Sequence, residues 1–456
     1  MPNSISNNIS SNTLNPRNIA FKILLKIETN DSYSSLLLQN SIKENKLSNL
    51  DVSFVSAIVY GVIERQITLD YILKQYSKIP LRKIEKKTLV ILRMGLYQIL
   101  YMDKVPDSAA VNESVKLAKK QHLTQSSGFI NGILRSFLRA EKQYKLPDEN
   151  DKSLYLSVLY SCPKEIISMW LESYGEENTE GILKSLFNRP PLYARVNTLK
   201  TSSEDLIKTL EENGIKAEVT DILNTALLLE NTGSIEKIKA FQNGLFYIQD
   251  LSSQICVELI SAKPHHLVMD VCSAPGGKSM GCAINMQNRG KVYSYDMYEH
   301  KVKLINSASK RLGINIVNSS VRDAQKDNRK LPLMDRVLCD VPCSGLGILR
   351  RKPEIRYKKD ILDNSLPEIQ YEILKNNSRY VSFGGLLIYS TCTLNPKENR
   401  EVADRFLHEN KDFEPYNIKM SDKIKRGINE PENQLTLFPH LNNTDGFFIS
   451  VFRKRG

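Results

Sequence analysis

At 456 residues the chain is too long for one ordinary core, so two or three domains are expected. Its 41% hydrophobic and 25% charged residues are those of a soluble globular protein, and no apolar run reaches the length that spans a bilayer. The net charge of +12 is uneven: +8 over residues 1–150 (21 basic, 13 acidic), −5 over 151–250 (10 and 15) and +9 over 301–400 (19 and 10). Two basic blocks around an acidic one fit a polyanion gripped at two places.

Residues 1–15 are Asn/Ser-rich and expected to be disordered. They have neither a basic start nor an apolar stretch, which argues against secretion. Seven cysteines without a CxxC pair argue against a disulfide framework and for a reducing cytoplasm. No histidines cluster beside Cys339 and Cys343, so no metal site is expected.

From Pro16 the pattern turns helical, with Ala20, Ile23, Leu24 and Ile27 on one face. Helices are expected over 35–43, 52–65, 70–76, 86–101, 108–120 and 128–140, which makes residues 16–140 an all-helical domain. Residues 141–152, charged and carrying Pro147, read as a linker. Residues 153–250 mix helices (153–160, 163–174, 179–187) with strands at 192–197 and 226–229 and an amphipathic segment at 203–213. They form a small α+β unit whose sheet order is open.

From Pro264 strands alternate with helices: 267–271, 291–295, 314–318, 335–339, 385–389 and 447–452. Helices are expected between them, notably over 299–312, 365–382 and 396–410. The expectation for 251–456 is a doubly wound, mostly parallel, Rossmann-like sheet covered on both faces.

Three stretches of this last domain carry chemistry. Cys272, Ser273, Ala274, Pro275, Gly276, Gly277 and Lys278 turn a buried strand directly into a helix, and the glycines let backbone N–H groups approach a ligand. The spacing is not GxGxxG. With Asp296 after the next strand, where an acid usually binds ribose hydroxyls, it fits a nucleoside carrying an amino-acid tail. Asp323 follows the third strand and faces the same crevice.

Asp340-Val-Pro-Cys343 and Ser390-Thr-Cys392 each follow an apolar run that reads as a buried strand. Residues past the carboxyl ends of such strands face the ligand crevice, so two thiols and the Asp340 carboxylate converge there. That set suits attack by one thiol on an electrophilic ring carbon, with the other groups handling protons. Spacing alone does not say which thiol attacks. Arg350, Arg351, Lys352, Arg356 and Lys358, with Tyr357 among them, read as a loop for a phosphate backbone and a stacked base. Cys162, Cys256, Cys282 and Cys339 read as packing residues.

The three stretches, in this order, resemble the S-adenosylmethionine-dependent RNA cytosine-C5 methyltransferases of the Fmu/Sun (NOL1/NOP2) family. Tyr193–Lys200, Gln249–Gln254 and the continuation of the third stretch to Asn399 are also similar to that family. Asp51–Phe54, Gly61–Arg65, Ile91–Tyr97, Val111–Val115 and Asn131–Arg135 resemble a NusB-type RNA-binding domain, a fusion characteristic of the bacterial 16S rRNA subgroup. The resemblance implies methylation of C5 of a cytosine in 16S rRNA by a cytoplasmic monomer. Cys392 would be the nucleophile on C6, Cys343 the group that helps remove the C5 proton, and Asp340 the holder of the N3/N4 edge. Residues 272–278, Asp296, Asp323 and Asp340 would face S-adenosylmethionine. The same chemistry on tRNA or 23S rRNA, and a non-catalytic RNA-binding assembly factor, are the alternatives. A nicotinamide dehydrogenase fits neither the glycine spacing nor the thiol pair.

Overall fold

The computed structural model describes residues 15–30, 34–326, 330–427 and 430–456. The disorder expected for residues 1–15 therefore falls outside the described residues, Asn15 apart. The chain divides into two compact units. One runs to Ser168 and includes Lys352–Lys359; the other comprises Met169–Arg351 and Asp360–Gly456.

The first unit is helical: α1 (Pro16–Asn30), α2 (Ser34–Asn45), α3 (Asn49–Glu64), α4 (Gln66–Tyr76), α5 (Lys86–Tyr101), α6 (Asp107–Lys120), α7 (Thr124–Arg139) and α8 (Lys152–Tyr160). Helix α5 lies at its centre. Its residues from Thr88 to Leu96 are all buried, and a helix apolar on every side needs neighbours on every side. Gly95 makes that approach possible, because a Cβ there would sit 2.7 Å from Leu134 Cδ1 and 2.8 Å from Ser114 Oγ. One charge enters this core and is fully met. Arg93 on α5 donates to both Asp70 oxygens, at 2.7 Å each, and to Glu28 at 2.9 Å, tying α5 to α4 and α1.

Among the described residues no single helix is long and apolar enough to cross a membrane. Helices α3 and α4 pass that test only as a pair, bent by 75°, and their apolar residues belong to this unit's core. The segment 352–359 packs on the same unit through a 3-10 turn at Pro353–Tyr357. There Glu354 accepts from Ser34, and the Tyr357 hydroxyl donates to Ile63 O at 2.9 Å.

Helix α9 (Lys164–Ser185), broken at Gly175, leads into the second unit. There β1 (Leu192–Val196), α10 (Ser203–Glu211), β2 (Lys216–Val219), β3 (Ala226–Glu230), α11 (Lys239–Gln242) and β4 (Phe246–Ile248) form an antiparallel sheet of order β2-β3-β1-β4. The expected strands at 192–197 and 226–229 are its two central ones. The flanking β2 and β4 escape the sequence reading because they are three or four residues long and β2 buries only Ala217.

The larger sheet follows: α12 (Leu251–Ile260), β5 (Leu267–Asp270), α13 (Gly277–Asn285), β6 (Lys291–Asp296), α14 (Glu299–Leu312), β7 (Val317–Val321), β8 (Met334–Asp340), α15 (Ser365–Ser378), β9 (Val381–Thr391), α16 (Arg400–Glu409), β10 (Phe413–Pro415), β11 (Gln434–Leu437), α17 (Pro439–Asn442) and β12 (Phe447–Lys454). The order is β10-β12-β9-β8-β5-β6-β7, with β11 also on β12. Strands β5 to β9 are parallel and β12 runs antiparallel to β9, giving a mixed sheet.

The third strand was expected at 314–318 and lies three residues later. Gly313 ends α14 in the left-handed conformation, and the Ile314 N–H closes that helix on Ser309 O at 3.0 Å, so Ile314 caps a helix instead of starting a strand. All of β7 sits at the sheet edge and is largely exposed, which removes the apolar signal.

Candidate active site

Strands β8 and β9 are parallel neighbours paired Asp340 to Ser390, so their carboxyl ends emerge side by side. That register delivers both thiols to one place: the Cys343 and Cys392 sulfurs are 3.2 Å apart and half-buried. Asp340 lies beside them with both oxygens held. Ser390 Oγ donates to Oδ1 at 2.8 Å and Lys278 Nζ to Oδ2 at 2.7 Å. Burial alone lowers the Lys278 pKa, but the facing Asp340, with Cys256 and Asp270, outweighs it and holds the ammonium above its ordinary value.

The two cysteine loops are bound to each other by a buried network. Glu398, 1% exposed, accepts from Ser344 N (2.9 Å), Gln370 Nε2 (2.8 Å) and Asn395 Nδ2 (2.9 Å). Ser344 Oγ and Thr393 Oγ1 are 2.7 Å apart, and Gly347 N donates to Cys392 O at 3.0 Å. Gly347 is required by proximity, since a Cβ there would lie 1.9 Å from Gly446 O and 2.8 Å from Cys392 O. The Trp170 indole N–H donates to Leu394 O at 2.9 Å. Side chains so locked hold the sulfurs in one geometry.

The hydrogen bond with Cys392, and then burial, hold the Cys343 thiol well above its ordinary pKa. Either sulfur can be the donor of the contact between them. Burial also pushes Cys162 and Cys256 up to about 12, and Cys272, Cys282 and Cys339 upward as well, so these five are poor nucleophiles.

On the other side of Asp340 lies the glycine loop. Ser273 N and Oγ both donate to Tyr295 O, at 2.8 and 2.9 Å, fixing the loop on β6. Gly276 is left-handed (φ 103), at the start of α13. Asp296 ends β6 with its Oδ1 accepting from Tyr298 N at 3.2 Å and forming an ion pair with Lys301 at 3.7 Å. Arg322 N donates to Asp296 O at 3.0 Å, which brings Asp323 to the same end of the sheet. Asp323 itself accepts from Gln325 N at 3.0 Å and pairs with Lys326 at 3.2 Å.

Asp270, two residues before this loop, is given weight by the structure. It ends β5, is 1% exposed and accepts from Ser279 Oγ at 2.7 Å through Oδ2, while buried Oδ1 has no partner. An unmet buried acceptor costs about 1–3 kcal/mol, which a ligand's ammonium would recover. An amino-acid tail on a nucleoside supplies such a group, so the residues present fit that class of cofactor.

The basic loop corrects an expectation. Arg350 is 6% exposed, bound to Asp445 Oδ1 at 3.3 Å and to Thr444 O. Arg351 donates to Asp445 Oδ2 (2.6 Å), Asp250 Oδ2 (2.9 Å) and Pro191 O (3.0 Å). Arg356 is 1% exposed and donates to Ser161 O at 3.0 Å. These three cations are spent inside the protein and are not presented to a phosphate backbone; Lys352 and Lys358 lie on the segment that belongs to the helical unit. Among the described residues no group of three His, Cys, Asp or Glu side chains is placed to hold a metal.

The family profile described as 16S rRNA methyltransferase RsmB/F matches residues 257–453, the NusB family profile residues 14–139, and the RsmF/B-like ferredoxin-like domain residues 162–236. The chain is 38% identical over 446 residues to the "Probable ribosomal RNA small subunit methyltransferase B" of Bacillus subtilis strain 168, covering 96% of this chain and 99% of that one. The chain belongs to the RsmB/F family of 16S rRNA methyltransferases. A second RsmB/F relative, of the same printed name, from Synechocystis sp. PCC 6803, is 34% identical, covering 97% of this chain and all of that one. The crystal structure of PH0851 superposes with a TM-score of 0.80 at 25% identity, over 97% of this chain and 99% of that one. RsmB/F membership carries S-adenosylmethionine-dependent methylation of rRNA, a NusB-type helical domain, a ferredoxin-like middle domain and a mixed methyltransferase sheet.

The fit of Asp270 to this donor sets an expected result. Burial pushes its carboxyl from the ordinary 3.8 up to about 7. A carboxyl whose folded pKa is raised contributes stability fully present below its unfolded pKa and lost as pH rises through the folded one. An ammonium at Oδ1 prefers the ionised form. S-adenosylmethionine affinity measured by calorimetry should therefore fall about tenfold per pH unit below about pH 7. The Asp270→Asn protein should bind weakly with no such slope; an unchanged slope would count against an ammonium at Oδ1.

Proposed function

We propose that this chain methylates C5 of a cytosine in 16S rRNA through a covalent adduct between Cys392 and C6. The observation that carries the reading is the thiol pair, 3.2 Å apart, next to a carboxylate whose oxygens are both oriented. A ring carbon at C5 is not nucleophilic until a nucleophile adds to C6, and a thiol is the side chain best suited to that addition.

The residues divide the work as follows. Cys392 adds to C6 as its thiol proton passes to N3, and the enamine so formed carries its electron pair at C5. Asp340, fixed by Ser390 and Lys278, accepts from the N3–H and N4–H groups of that edge. S-adenosylmethionine supplies an electrophilic methyl group, which C5 of the adduct accepts; residues 272–278, Asp270, Asp296 and Asp323 would hold it. C5 then carries both a methyl and a proton. Cys343 takes that proton as its own S–H proton passes to solvent; the electron pair restores the C5–C6 double bond and expels the Cys392 sulfur, which recovers the proton held at N3. The base must leave its stack or lie in a loop to be reached.

Methyl transfer from labelled S-adenosylmethionine to 16S rRNA, 23S rRNA and tRNA in parallel, with the product nucleoside identified, tests this. 5-Methylcytidine in 16S rRNA alone is the expected product. The same nucleoside in another RNA would keep the chemistry and overturn the substrate; a different methylated nucleoside would overturn the chemistry.

A further inference from the structure

The helical unit carries a cluster of cations that the reaction does not use. Between α4 and the first turn of α5 lie Lys78, Arg82, Lys83, Lys86 and Lys87 against a single acid, Glu85, all exposed. Among the described residues none of the five cations is in an ion pair. Lys86 makes one contact, from Nζ to the backbone Glu28 O at 3.4 Å. Lys86 and Lys87 occupy the first turn of α5, which holds no acid. The positive end of the helix dipole disfavours cations there, so each of these lysines costs the fold some stability while strengthening any site for an anion.

A second observation gives this patch a shape. Lys86, Gln66, Lys358 and Lys359 line a cavity of about 280 Å³ floored by Ile27, Ile63 and Tyr357, all within the helical unit. Two acids also line it, and both are committed. Glu28 pairs with Arg93 at 2.9 Å, and Glu354 accepts from Ser34 N and Oγ at 3.2 and 2.9 Å. What the cleft offers a ligand is therefore cationic, with a neutral amide and an apolar floor. Its size suits one unit of a chain, and the further lysines and Arg82 continue the positive surface outside it.

We infer that this cleft and the adjoining 78–87 loop form a docking site for the sugar–phosphate backbone of single-stranded RNA, separate from the reacting cytosine. The inference rests on the reading of the chain as an rRNA methyltransferase. A run of anions spaced along a flexible strand is the partner that matches the cations of the 78–87 loop, none of them in an ion pair, beside a cleft of one nucleotide's scale. The site gives an electrostatic grip without reading sequence.

The test uses the full chain and the variant R82Q/K83Q/K86Q/K87Q, beside K119Q/K120Q, which removes two cations from the last turn of α6. Glutamine in the first turn of α5 relieves the clash with the dipole, so the fourfold variant should be at least as stable as the parent, and a loss of binding is then not a loss of fold. Affinity for a single-stranded 16S rRNA fragment is measured by anisotropy from low to moderate salt. Each lost phosphate contact should reduce the slope of log affinity against log salt by about 0.7, so a loss of three contacts gives about 2. Affinity at low salt should fall at least tenfold, and methyl transfer should show a raised KM for RNA with kcat retained. The control variant should keep the parental slope.

A fourfold variant with the parental slope and KM overturns the inference, as does a control variant that loses as much. Loss only against an acidic protein, with RNA binding intact, also overturns it and assigns the patch to a protein partner. A parent that binds the fragment through this patch yet methylates no rRNA would overturn the proposed function and leave the docking site standing.

Discussion

Replacing Cys392 by alanine is expected to abolish methyl transfer, by on the order of 10⁴-fold or more, whereas replacing Cys343 should trap the protein on its RNA. The magnitude is that seen when a covalent nucleophile is removed from a unit that acts together. In the proposed reaction the two outcomes differ because the thiols act on opposite sides of one intermediate. Without Cys392 no bond to C6 forms and C5 never becomes nucleophilic. Without Cys343, addition and methyl acceptance proceed, but the C5 proton has lost its acceptor and the sulfur is not expelled. The adduct should survive denaturing electrophoresis as a protein band shifted by the RNA and requiring S-adenosylmethionine. Geometry alone is nearly symmetric, with the sulfurs 3.2 Å apart and both half-buried. The distinction rests on the family resemblance, which gives Cys392 the attack on C6 and Cys343 the later proton removal. A trapped complex in Cys392→Ala and none in Cys343→Ala would reverse the assignment.

Asp445→Ala is expected to be the most destabilising single change near the site, by about 3–5 kcal/mol. Asp445 and Arg350 are 5% and 6% exposed, and the carboxylate answers both Arg350 and Arg351. Removing it leaves a guanidinium in the interior with only carbonyl partners. Arg351 is cushioned, since Asp250 remains at 2.9 Å. Asp250 caps α12 through Ser252 N at 2.9 Å and accepts from Asp445 N at 3.1 Å, a backbone bond that alanine retains, so the start of that helix is spared. Urea unfolding followed by circular dichroism should show a lower midpoint, while the salt dependence of RNA binding by the protein that remains folded stays parental. A stable variant with a reduced salt slope would instead restore Arg350 and Arg351 to the RNA surface.

That pair of arginines shows what sequence adjacency hides. Residues 350–358 look like a solvated basic loop because their partners, Asp445 and Ser161, lie far away in the chain and carry no local signal. The thiols were legible for the opposite reason. Their partner rule is local: each follows a short apolar strand, and the carboxyl ends of adjacent parallel strands meet. Which strands were adjacent was not needed. The difference in role between Cys343 and Cys392 was not legible, since spacing is symmetric in them and only the family resemblance separated them. Helix α5 announced itself through Leu89, Leu92 and Leu96 at helical spacing, whereas β2, β4 and β7 are too short or too exposed for a period to form. Glu398 lies within the stretch to Asn399 and Asp270 just before the glycine loop, yet neither stands out by its spacing. Their weight comes from three converging donors in one case and an orphaned oxygen in the other, and neither is a property of sequence.

The contact between Trp170 and Leu394 has a practical side. Trp170 is the single tryptophan of the chain, fully buried, and its indole is bonded to the backbone two residues past Cys392. Intrinsic fluorescence of the unmodified protein is therefore the signal of one loop, undiluted by other emitters of its kind. Any shift of that loop during turnover is written into the emission of a native chromophore, so single-turnover kinetics can be followed optically without a label on protein or RNA.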